Sequence, residues 1–318
     1  MIANLGQFWR LTRELDLAQI RAEFDGVARI AFLGSDAESA RRMGRLVDEH
    51  LTDVEWAPLD AWESVSWNPR DTEGLVVAVI TGPLSAAARR ALTELSVGAT
   101  TLLVVLEGEG RGVVVVGVSD ERIVELPADE SAARERLLSA MLRVSPGTLL
   151  PLGRRRPALR LAIAQNLIQD SSRANAQFAA ISGIPSVIPV VGGLVGGAAD
   201  TFVLTKNQVL LVFKLAGLYG RDLSLGRELL AEVAPVVGSA FLWRTAARTL
   251  VGMLPAFVSF VPKVVVAFSG TYVVGEMARF YFEHGRKPPA DVVRQAREDG
   301  LRLAKRAAAS IGSLTSRR

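Results

Sequence analysis

The chain has 318 residues, with 37 Lys and Arg, 33 Asp and Glu, no Cys, and 49% apolar residues. This size suits two domains, and the apolar fraction is sufficient for a core, which excludes a disordered, collagen-like or low-complexity chain. Without Cys, disulfides, Cys-based zinc sites and thiol nucleophiles are excluded, and His50 and His284 alone cannot build a His-rich metal centre. The mean hydropathy of +0.27 must therefore come from a few strongly apolar segments.

Charge divides the chain near residue 150. Residues 1–150 hold 15 Arg, no Lys and 23 acidic residues, a net charge of −8, whereas residues 151–318 hold 22 basic and 10 acidic residues, a net charge of +12. An acidic half joined to a basic, apolar half favours attachment to an anionic surface. The first residues lack the apolar core of a signal peptide, so we expect the chain to begin in the cytoplasm.

The acidic half has the pattern of an α/β domain. Residues 1–26 are predicted to form an amphipathic leading helix that packs on the domain behind it, and residues 27–144 to form that domain. Apolar β-branched runs without strict alternation indicate strands covered on both faces, and hence a doubly wound, mostly parallel sheet. The predicted strands are 29–34, 54–59, 75–81, 101–106, 113–118 and 122–126, and the predicted helices are 37–51, 85–95 and 129–142.

The turn formed by Gly34, Ser35 and Asp36 follows the first strand, where such a sheet binds its ligand. Ser35 or Asp36 can cap the next helix, whose N-terminus would favour an anion, although the Asp itself would oppose one. A phosphate-cradling loop of the GxxxxGK[ST] type requires a second Gly, a Lys and a hydroxyl. The corresponding positions hold Ser39, Ala40 and Arg41, so the loop chemistry is incomplete.

Other signals of nucleotide hydrolysis are also missing. Gly82 stands near the end of the third strand in place of a metal-binding Asp, and Glu107 follows the fourth strand without the Asn-Lys-x-Asp sequence that recognises guanine. We therefore predict no enzyme, no catalytic residue, no metal ligand and no cofactor. The weak candidates for a bound nucleotide are Gly34, Ser35 and Asp36, and a nucleotide-binding switch with an unorthodox site there is an alternative hypothesis.

The basic half is predicted to be helical and apolar. Residues 145–157 have the composition of a linker, and their Arg154, Arg155 and Arg156 either dock on anionic lipid headgroups or form a solvated turn. In the helical domain predicted over residues 158–288, no charged residue falls within 174–199, and Lys263 is the single charge within 249–275. Both stretches are long enough to span a bilayer, although their Pro and Gly residues favour bent or hairpin-like entry.

Two further patterns have a functional and a structural interpretation. Asp200, Asn207 and Lys214 lie seven residues apart in a predicted helix, and their stripe faces a bundle interior, a partner or the bilayer interface, or else the solvent around a soluble bundle. Residues 289–318 are predicted to form a basic amphipathic helix. That helix is either an interfacial or partner-docking element or a terminal helix packed on its own domain.

Residues 155–285, which include IPSVIPVVGGLVGGAADTFVLTKNQVLLVFKLAGLYGRDL, resemble the bacterial helical domain of unknown function 697, which is often fused behind Era-like GTPase domains. The resemblance implies a membrane-associated helical domain without catalytic activity. It further implies that the front half is a degenerate, P-loop-GTPase-like domain. The residues that carry it are Ile188, Pro189, Asp200, Gln208, Leu218, Tyr219, Gly220 and Gly270–Tyr272.

The sequence thus predicts a non-catalytic adaptor or scaffold with a pseudo-GTPase domain, on the cytoplasmic face of the bacterial inner membrane. Membrane lipid and an unidentified protein are the expected partners, and a soluble, cytoplasmic helical interaction module is an alternative. Nucleic acid is not expected, because the cations are scattered among apolar runs without interleaved aromatic residues. Gly-rich runs leave oligomerisation open. The contact candidates are Arg154, Arg155, Arg156, Ile188, Pro189, Asp200, Asn207, Gln208, Lys214, Tyr219 and Lys263.

Overall fold

The computed structural model describes residues 17–51, 54–68, 74–98, 101–182, 197–226, 228–229, 231–233, 235 and 260–315. The chain divides into two compact units, Glu23–Ile163 and the described residues of Met1–Ala22 together with Ala164–Arg318. The first unit contains a parallel sheet with helices, and the second is helical. An α/β region followed by a helical region agrees with the prediction from sequence.

The α/β unit contains five strands. They are β1 (Ile30–Gly34), β2 (Glu55–Pro58), β3 (Leu75–Ile80), β4 (Leu102–Leu106) and β5 (Ile123–Glu125). The helices of the chain are α1 (Leu17–Asp25), α2 (Ala37–Val47), α3 (Ala86–Gly98), α4 (Glu130–Val144), α5 (Pro146–Arg155), α6 (Pro157–Ser182), α7 (Gly197–Leu218), α8 (Phe260–His284) and α9 (Ala290–Thr315).

The five strands form one sheet in the order β2-β1-β3-β4-β5, and each neighbouring pair is parallel. Every residue of β1, β3 and β4 is buried, as expected for strands covered on both faces. On one face, α3 and the turn Leu59–Ser64 complete an apolar core with these strands. In sheets with this strand order, ligands generally bind beyond the carboxyl ends of β1 and β3, where the connections diverge, and we call this position the crevice.

The prediction of a strand over residues 113–118 was wrong. These residues are fully described, but they lie outside the sheet and follow the tight turn Gly108–Gly112. β4 already has β3 and β5 as its two neighbours, so no ladder position is left for them beside it. Val113, Val115 and Val118 pack against the core on the α3 side, which explains their apolar pattern without strand pairing.

The segment 145–157 also differs from the predicted linker, because most of it is α5. Pro146 occupies the first turn of α5, where its fixed φ suits a helix and its missing N–H is not needed. Leu149, Leu150 and Leu152 are buried. Burial of these side chains anchors a segment whose Pro, Gly and Arg content alone is typical of a linker.

In the helical unit, the described side chains of α7 and α8 are buried or half-buried, except at the end of α8. Gly275 on α8 allows close packing, because a Cβ there would lie 2.7 Å from Ile168 Cγ1 on α6 and 3.1 Å from Leu211 Cδ2 on α7. Helices that are apolar all round are generally buried within a protein core or a membrane. Among the described residues, no helix has the length and hydropathy needed to cross a membrane.

The outer helices α1 and α9 also pack in this unit. The start of α1 lies in this unit, where Leu17 Cδ1 fills the space beside Gly226, whereas residues 23–25 at its end belong to the α/β unit. Residues 1–16 of the predicted leading helix lie outside the described residues. The apolar face of α9 packs on α8, with Ala304 and Ala308 against Val264 and Phe268. This packing agrees with the structural interpretation of a terminal helix on its own domain.

Candidate functional site

The predicted turn lies at the crevice between β1 and β3. Ser35 follows β1 and Thr81 follows β3, and the Thr81 hydroxyl donates a 3.2 Å hydrogen bond to Ser35 Oγ. The parallel register of the two strands brings their carboxyl ends to the same edge, which explains a contact between residues 46 positions apart. The two hydroxyls that would meet a ligand here bond to one another.

The N-terminus of α2 is occupied by its own cap. Asp36 Oδ1 accepts the Ser39 N–H at 2.7 Å, and Ser39 Oγ accepts the Asp36 N–H at 3.3 Å, which forms a reciprocal capping box. The backbone hydrogen bond from Ser39 lowers the pKa of Asp36 below its ordinary value, so the carboxylate stays charged. A negative charge at this helix end opposes the binding of a phosphate or another anion.

The position of Gly34 has no room for a side chain. A Cβ at this position would lie 2.3 Å from Ser39 Oγ and 2.7 Å from the backbone nitrogen of Ala40. In phosphate-binding loops, glycines let the backbone approach the ligand. Here Gly34 instead lets the first turn of α2 approach the end of β1.

A cation beside the crevice is already paired. Arg42 on α2 forms an ion pair with Glu107, which follows β4. The Glu107 side chain is 13% exposed, whereas that of Arg42 is 55% exposed. The guanidinium that could have held a phosphate is therefore partly neutralised by a carboxylate of the same crevice.

The loop after β4 is fixed against the end of β3. The Glu107 N–H donates a 3.0 Å hydrogen bond to the carbonyl oxygen of Ile80, and a Cβ on Gly110 would lie 2.0 Å from that same oxygen. The Arg111 guanidinium donates to the carbonyl of Leu126, beyond β5. The turn Gly108–Gly112 thus packs directly on the sheet edge where a ligand would lie.

His, Asp and Glu side chains can hold a metal ion or transfer a proton. Within the described ranges, no group of three or more His, Asp or Glu side chains is placed to hold a metal ion. His50 is exposed, with its backbone N–H bonded to Asp48 Oδ1 at 3.2 Å, and it lies at the opposite end of α2 from Asp36. The contacts that the structure describes at the crevice are hydrogen bonds and an ion pair within the protein itself.

Two predicted contact residues of the helical unit join a buried polar network. Asn207 Nδ2 on α7 donates to Asn175 Oδ1 on α6 at 2.7 Å, and Gln208 Nε2 donates to Thr271 Oγ1 on α8 at 3.0 Å. Asn175 Nδ2 also donates to Thr271 Oγ1, at 2.8 Å. Asn207 therefore faces a bundle interior, one of the orientations considered for the polar stripe. The network ties three helices at one level.

The remaining predicted contact residues lie at other positions of the chain. Lys214 on α7 is half-buried, Lys263 is half-buried in the first turn of α8, and Tyr219 directly follows α7. Arg154 on α5 forms a 3.7 Å ion pair with Asp25, and its carbonyl accepts a hydrogen bond from Arg160. Further candidates are Arg155, which is exposed, Arg156, which is half-buried, Asp200, whose backbone lies in α7, and Ile188 and Pro189, which lie outside the described residues.

Sequence reasoning missed the partners that complete both groups. Thr81 and Arg42 belong to no sequence motif. Thr81 meets Ser35 because of the register of β1 and β3, and Arg42 of α2 meets Glu107, which directly follows β4, only in the folded chain. Asn175 and Thr271 carried a weak signal: each is a hydrogen-bonding side chain in a long apolar run. A buried polar residue in such a run generally has a hydrogen-bond partner, so their pairing could have been suspected but not assigned.

Comparisons of the chain with protein-family models, curated proteins and solved structures found no match.

Proposed function

We propose that the protein is a non-catalytic adaptor, in which an α/β domain without a working nucleotide site is joined to a helical domain. It acts through protein and membrane contacts. The observation that carries this proposal is the crevice beyond β1 and β3, which is filled by interactions of the chain with itself. The Asp36 cap, the Arg42–Glu107 ion pair and the packing of Gly110 on Ile80 each remove a feature that a phosphate ligand would require.

The pseudo-GTPase interpretation of the α/β domain is part of this proposal. It is supported by the resemblance of residues 155–285 to a helical domain found behind Era-like GTPases. The strand order itself is shared by other doubly wound domains that bind ligands at the same crevice. The proposal therefore depends on the state of the crevice rather than on the fold.

Attachment to the membrane is the second part of the proposal. It is supported by the sequence of the helical half, which has a net charge of +12 over residues 151–318 and the apolar stretches 174–199 and 249–275. Basic segments next to apolar ones favour anionic bilayers. The burial of α7 and α8 within their own unit supports the soluble-module alternative, so the two must be separated by experiment.

Calorimetry tests the adaptor proposal. The purified full chain is titrated with GTP, ATP and their diphosphates, with and without Mg²⁺, and phosphate release is followed in parallel. We expect no binding heat and no turnover. Saturable binding of a triphosphate would favour the nucleotide-switch alternative, and measurable hydrolysis would refute the non-catalytic proposal.

Fractionation tests the membrane part. The untagged full chain is expressed in bacteria, and the high-speed pellet is extracted with salt, with alkaline carbonate and with detergent. We expect the chain in the pellet, and its release shows the mode of attachment: salt indicates electrostatic binding, and detergent alone indicates insertion. Recovery of the whole chain in the first supernatant would support the soluble-module alternative.

A further inference from the structure

Among the described residues, β5 is an edge strand, and backbone groups on its outer side have no partner there. The Leu126 N–H donates to the carbonyl of Leu106 on β4 at 2.9 Å. Neighbouring residues of a strand direct their backbone N–H and carbonyl groups to alternate sides. The backbone groups of Val124 therefore also face β4, whereas those of Ile123 and Glu125 face outward. The Ile123 N–H is taken by the carbonyl of Asp120. Within the described part of the chain, no residue is bonded to the Ile123 carbonyl or to either backbone group of Glu125 at the outer edge.

The opposite edge of the sheet is protected. β2 ends in Pro58, which has no N–H to offer an added strand. The carboxylate of Glu55 accepts hydrogen bonds from the Ser66 N–H at 2.7 Å and the Ser66 hydroxyl at 2.6 Å, which ties the following segment to this strand. β5 has neither device, and no strand lies beyond it in the described part of the chain.

A groove of about 330 Å³ runs between β5 and α4. Its floor is formed by the three residues of β5, and its wall by Arg136, Ser139 and Arg143 of α4. A groove between an edge strand and a helix is the arrangement in which several peptide-binding domains receive an extended segment as an additional strand. The residues that line this groove include Ile123 and Glu125, whose backbone groups face outward.

The two arginines of the wall lie seven residues apart, on the same face of α4, and differ in their partners. The Arg143 guanidinium donates a 2.9 Å hydrogen bond to the carbonyl of Glu121, so it braces the turn before β5. Arg136 is exposed and forms no hydrogen bond or ion pair with any residue that the structure describes. Asp120 and Glu125 lie on the strand side. The charges of the groove therefore favour a carboxylate on its α4 side only.

We propose that this groove binds an extended acidic peptide segment of another protein, which adds to β5 as a sixth strand. The backbone of the segment bonds to Ile123 and Glu125, and an acidic side chain pairs with Arg136. Side chains alternate along a strand, so every second residue of the segment would face α4. This inference deepens the proposed adaptor function, on which it rests, by naming one contact surface and the chemistry of its partner.

Fluorescence anisotropy tests the proposal with two fluorescein-labelled heptapeptides, one alternating glutamate with valine and the other alternating lysine with valine. We expect the full chain to bind the glutamate peptide in preference to the lysine peptide. Glu125→Pro removes the outward N–H at a position where an edge strand tolerates proline, whereas Glu125→Ala keeps that N–H. We expect Glu125→Pro to weaken binding about tenfold relative to Glu125→Ala.

The charge of the groove is tested separately, by a variant that leaves β5 intact. We expect Arg136→Glu to weaken binding of the glutamate peptide about tenfold, and Arg90→Glu, on the exposed surface of α3, to leave it unchanged. Absence of binding up to millimolar peptide, equal binding of both peptides, or equal affinities of the Arg136→Glu and Arg90→Glu variants would overturn the proposal.

Sedimentation of the chain without peptide tests whether a second copy of the chain occupies the edge of β5. If the chain is a dimer that Glu125→Pro converts to a monomer, the edge pairs with a second copy and the peptide proposal is wrong. Failure of the peptide proposal is distinguishable from failure of the adaptor proposal. The adaptor proposal is decided by nucleotide titrations, which contain no peptide.

Discussion

The side-chain amide of Asn175 donates a 2.8 Å hydrogen bond to the hydroxyl of Thr271, although the two residues lie 96 positions apart. Both side chains are fully buried, as is that of Gln208, which donates to the same hydroxyl at 3.0 Å. The Thr271 hydroxyl in turn donates to the carbonyl of Ala267 at 2.8 Å. One hydroxyl therefore accepts two donors from two other helices, and it fixes the rotation of α8 against α6 and α7.

Thr271→Val should destabilise the helical unit. The change keeps the shape of the side chain but removes the acceptor, so the buried amides of Asn175 and Gln208 lose it at once. A buried donor without an acceptor costs about 1–3 kcal/mol, and we expect the free energy of unfolding to fall by about 2 kcal/mol or more. Urea denaturation followed by circular dichroism measures the change.

The control for this prediction is Ser269→Ala on the same helix. The Ser269 hydroxyl donates to the carbonyl of Val265 within α8, so its removal leaves no donor of another helix unpaired. Thr271→Ser should retain most of the stability, because it keeps the hydroxyl. Equal effects of Thr271→Val and Ser269→Ala would show that the shared acceptor has no special role.

Gly110→Ala should disrupt the α/β unit. The new Cβ would lie 2.0 Å from the carbonyl oxygen of Ile80, a backbone atom that cannot move without distorting β3. Overpacking of this kind costs about 1–3 kcal/mol or more. Gly112→Ala is the matched control, because no described atom beyond its two chain neighbours lies within 4 Å of its Cβ position. Hydrogen exchange of the β3 amides should accelerate in the first variant and stay unchanged in the second.

Asp36 should make the stability of the α/β unit depend on pH in the acidic range. Its pKa is lowered from the ordinary 3.8 by the hydrogen bond from the Ser39 N–H, so the folded state binds the proton less tightly than the unfolded state. The stabilisation is complete above the unfolded pKa and is lost as the pH falls through the folded pKa. Asp36→Asn keeps a capping oxygen without a titrating group.

Denaturation of the wild type and Asp36→Asn between pH 6 and pH 2 checks this prediction. We expect the free energy of unfolding of the wild type to fall relative to that of the variant as the pH drops below about 4. A constant difference over the whole range would mean that the carboxylate charge does not contribute to the cap.

Tyr272 should make the stability of the helical unit fall at alkaline pH. Burial, with the carboxylates of Glu276 and Asp299 nearby, raises the pKa of Tyr272 from 10.0 to about 12. The neutral form is therefore favoured by folding, and its contribution to stability is complete below pH 10 and is lost between pH 10 and pH 12. Absorbance of tyrosinate, compared between the wild type and Tyr272→Phe, should show one tyrosine titrating near 12. Titration of that tyrosine near 10 in the folded chain would contradict the prediction.

The strand and helix pattern was readable from the sequence because it depends on neighbouring residues. The runs around β1, β3 and β4 are buried on both faces, so their composition alone distinguishes them from surface strands. The same rule failed for residues 113–118, which are equally apolar. A strand requires a partner at its edge, and the occupancy of that edge is decided by the rest of the sheet.

The candidate crevice was located from the sequence, and the loss of phosphate-loop residues was evident there. The partners that fill the crevice were not, because the Ser35–Thr81 and Arg42–Glu107 contacts join residues far apart in the chain. The contact between Leu17 and Gly226 is of the same kind, and the amphipathic pattern of the leading helix gave no sign of it.

By itself, the sequence determined the two-part organisation, the α/β and helical character of the parts, their opposite charges and the incomplete phosphate loop, since each follows from composition or from spacing over a few residues. The tertiary structure alone decided that side chains at the crevice pair with one another, that Asn207 and Gln208 join a buried network, and that β5 is, in the described part of the chain, the last strand of the sheet, beside Arg136. These features depend on which distant segments lie side by side, and that choice is made by the packing of the whole chain.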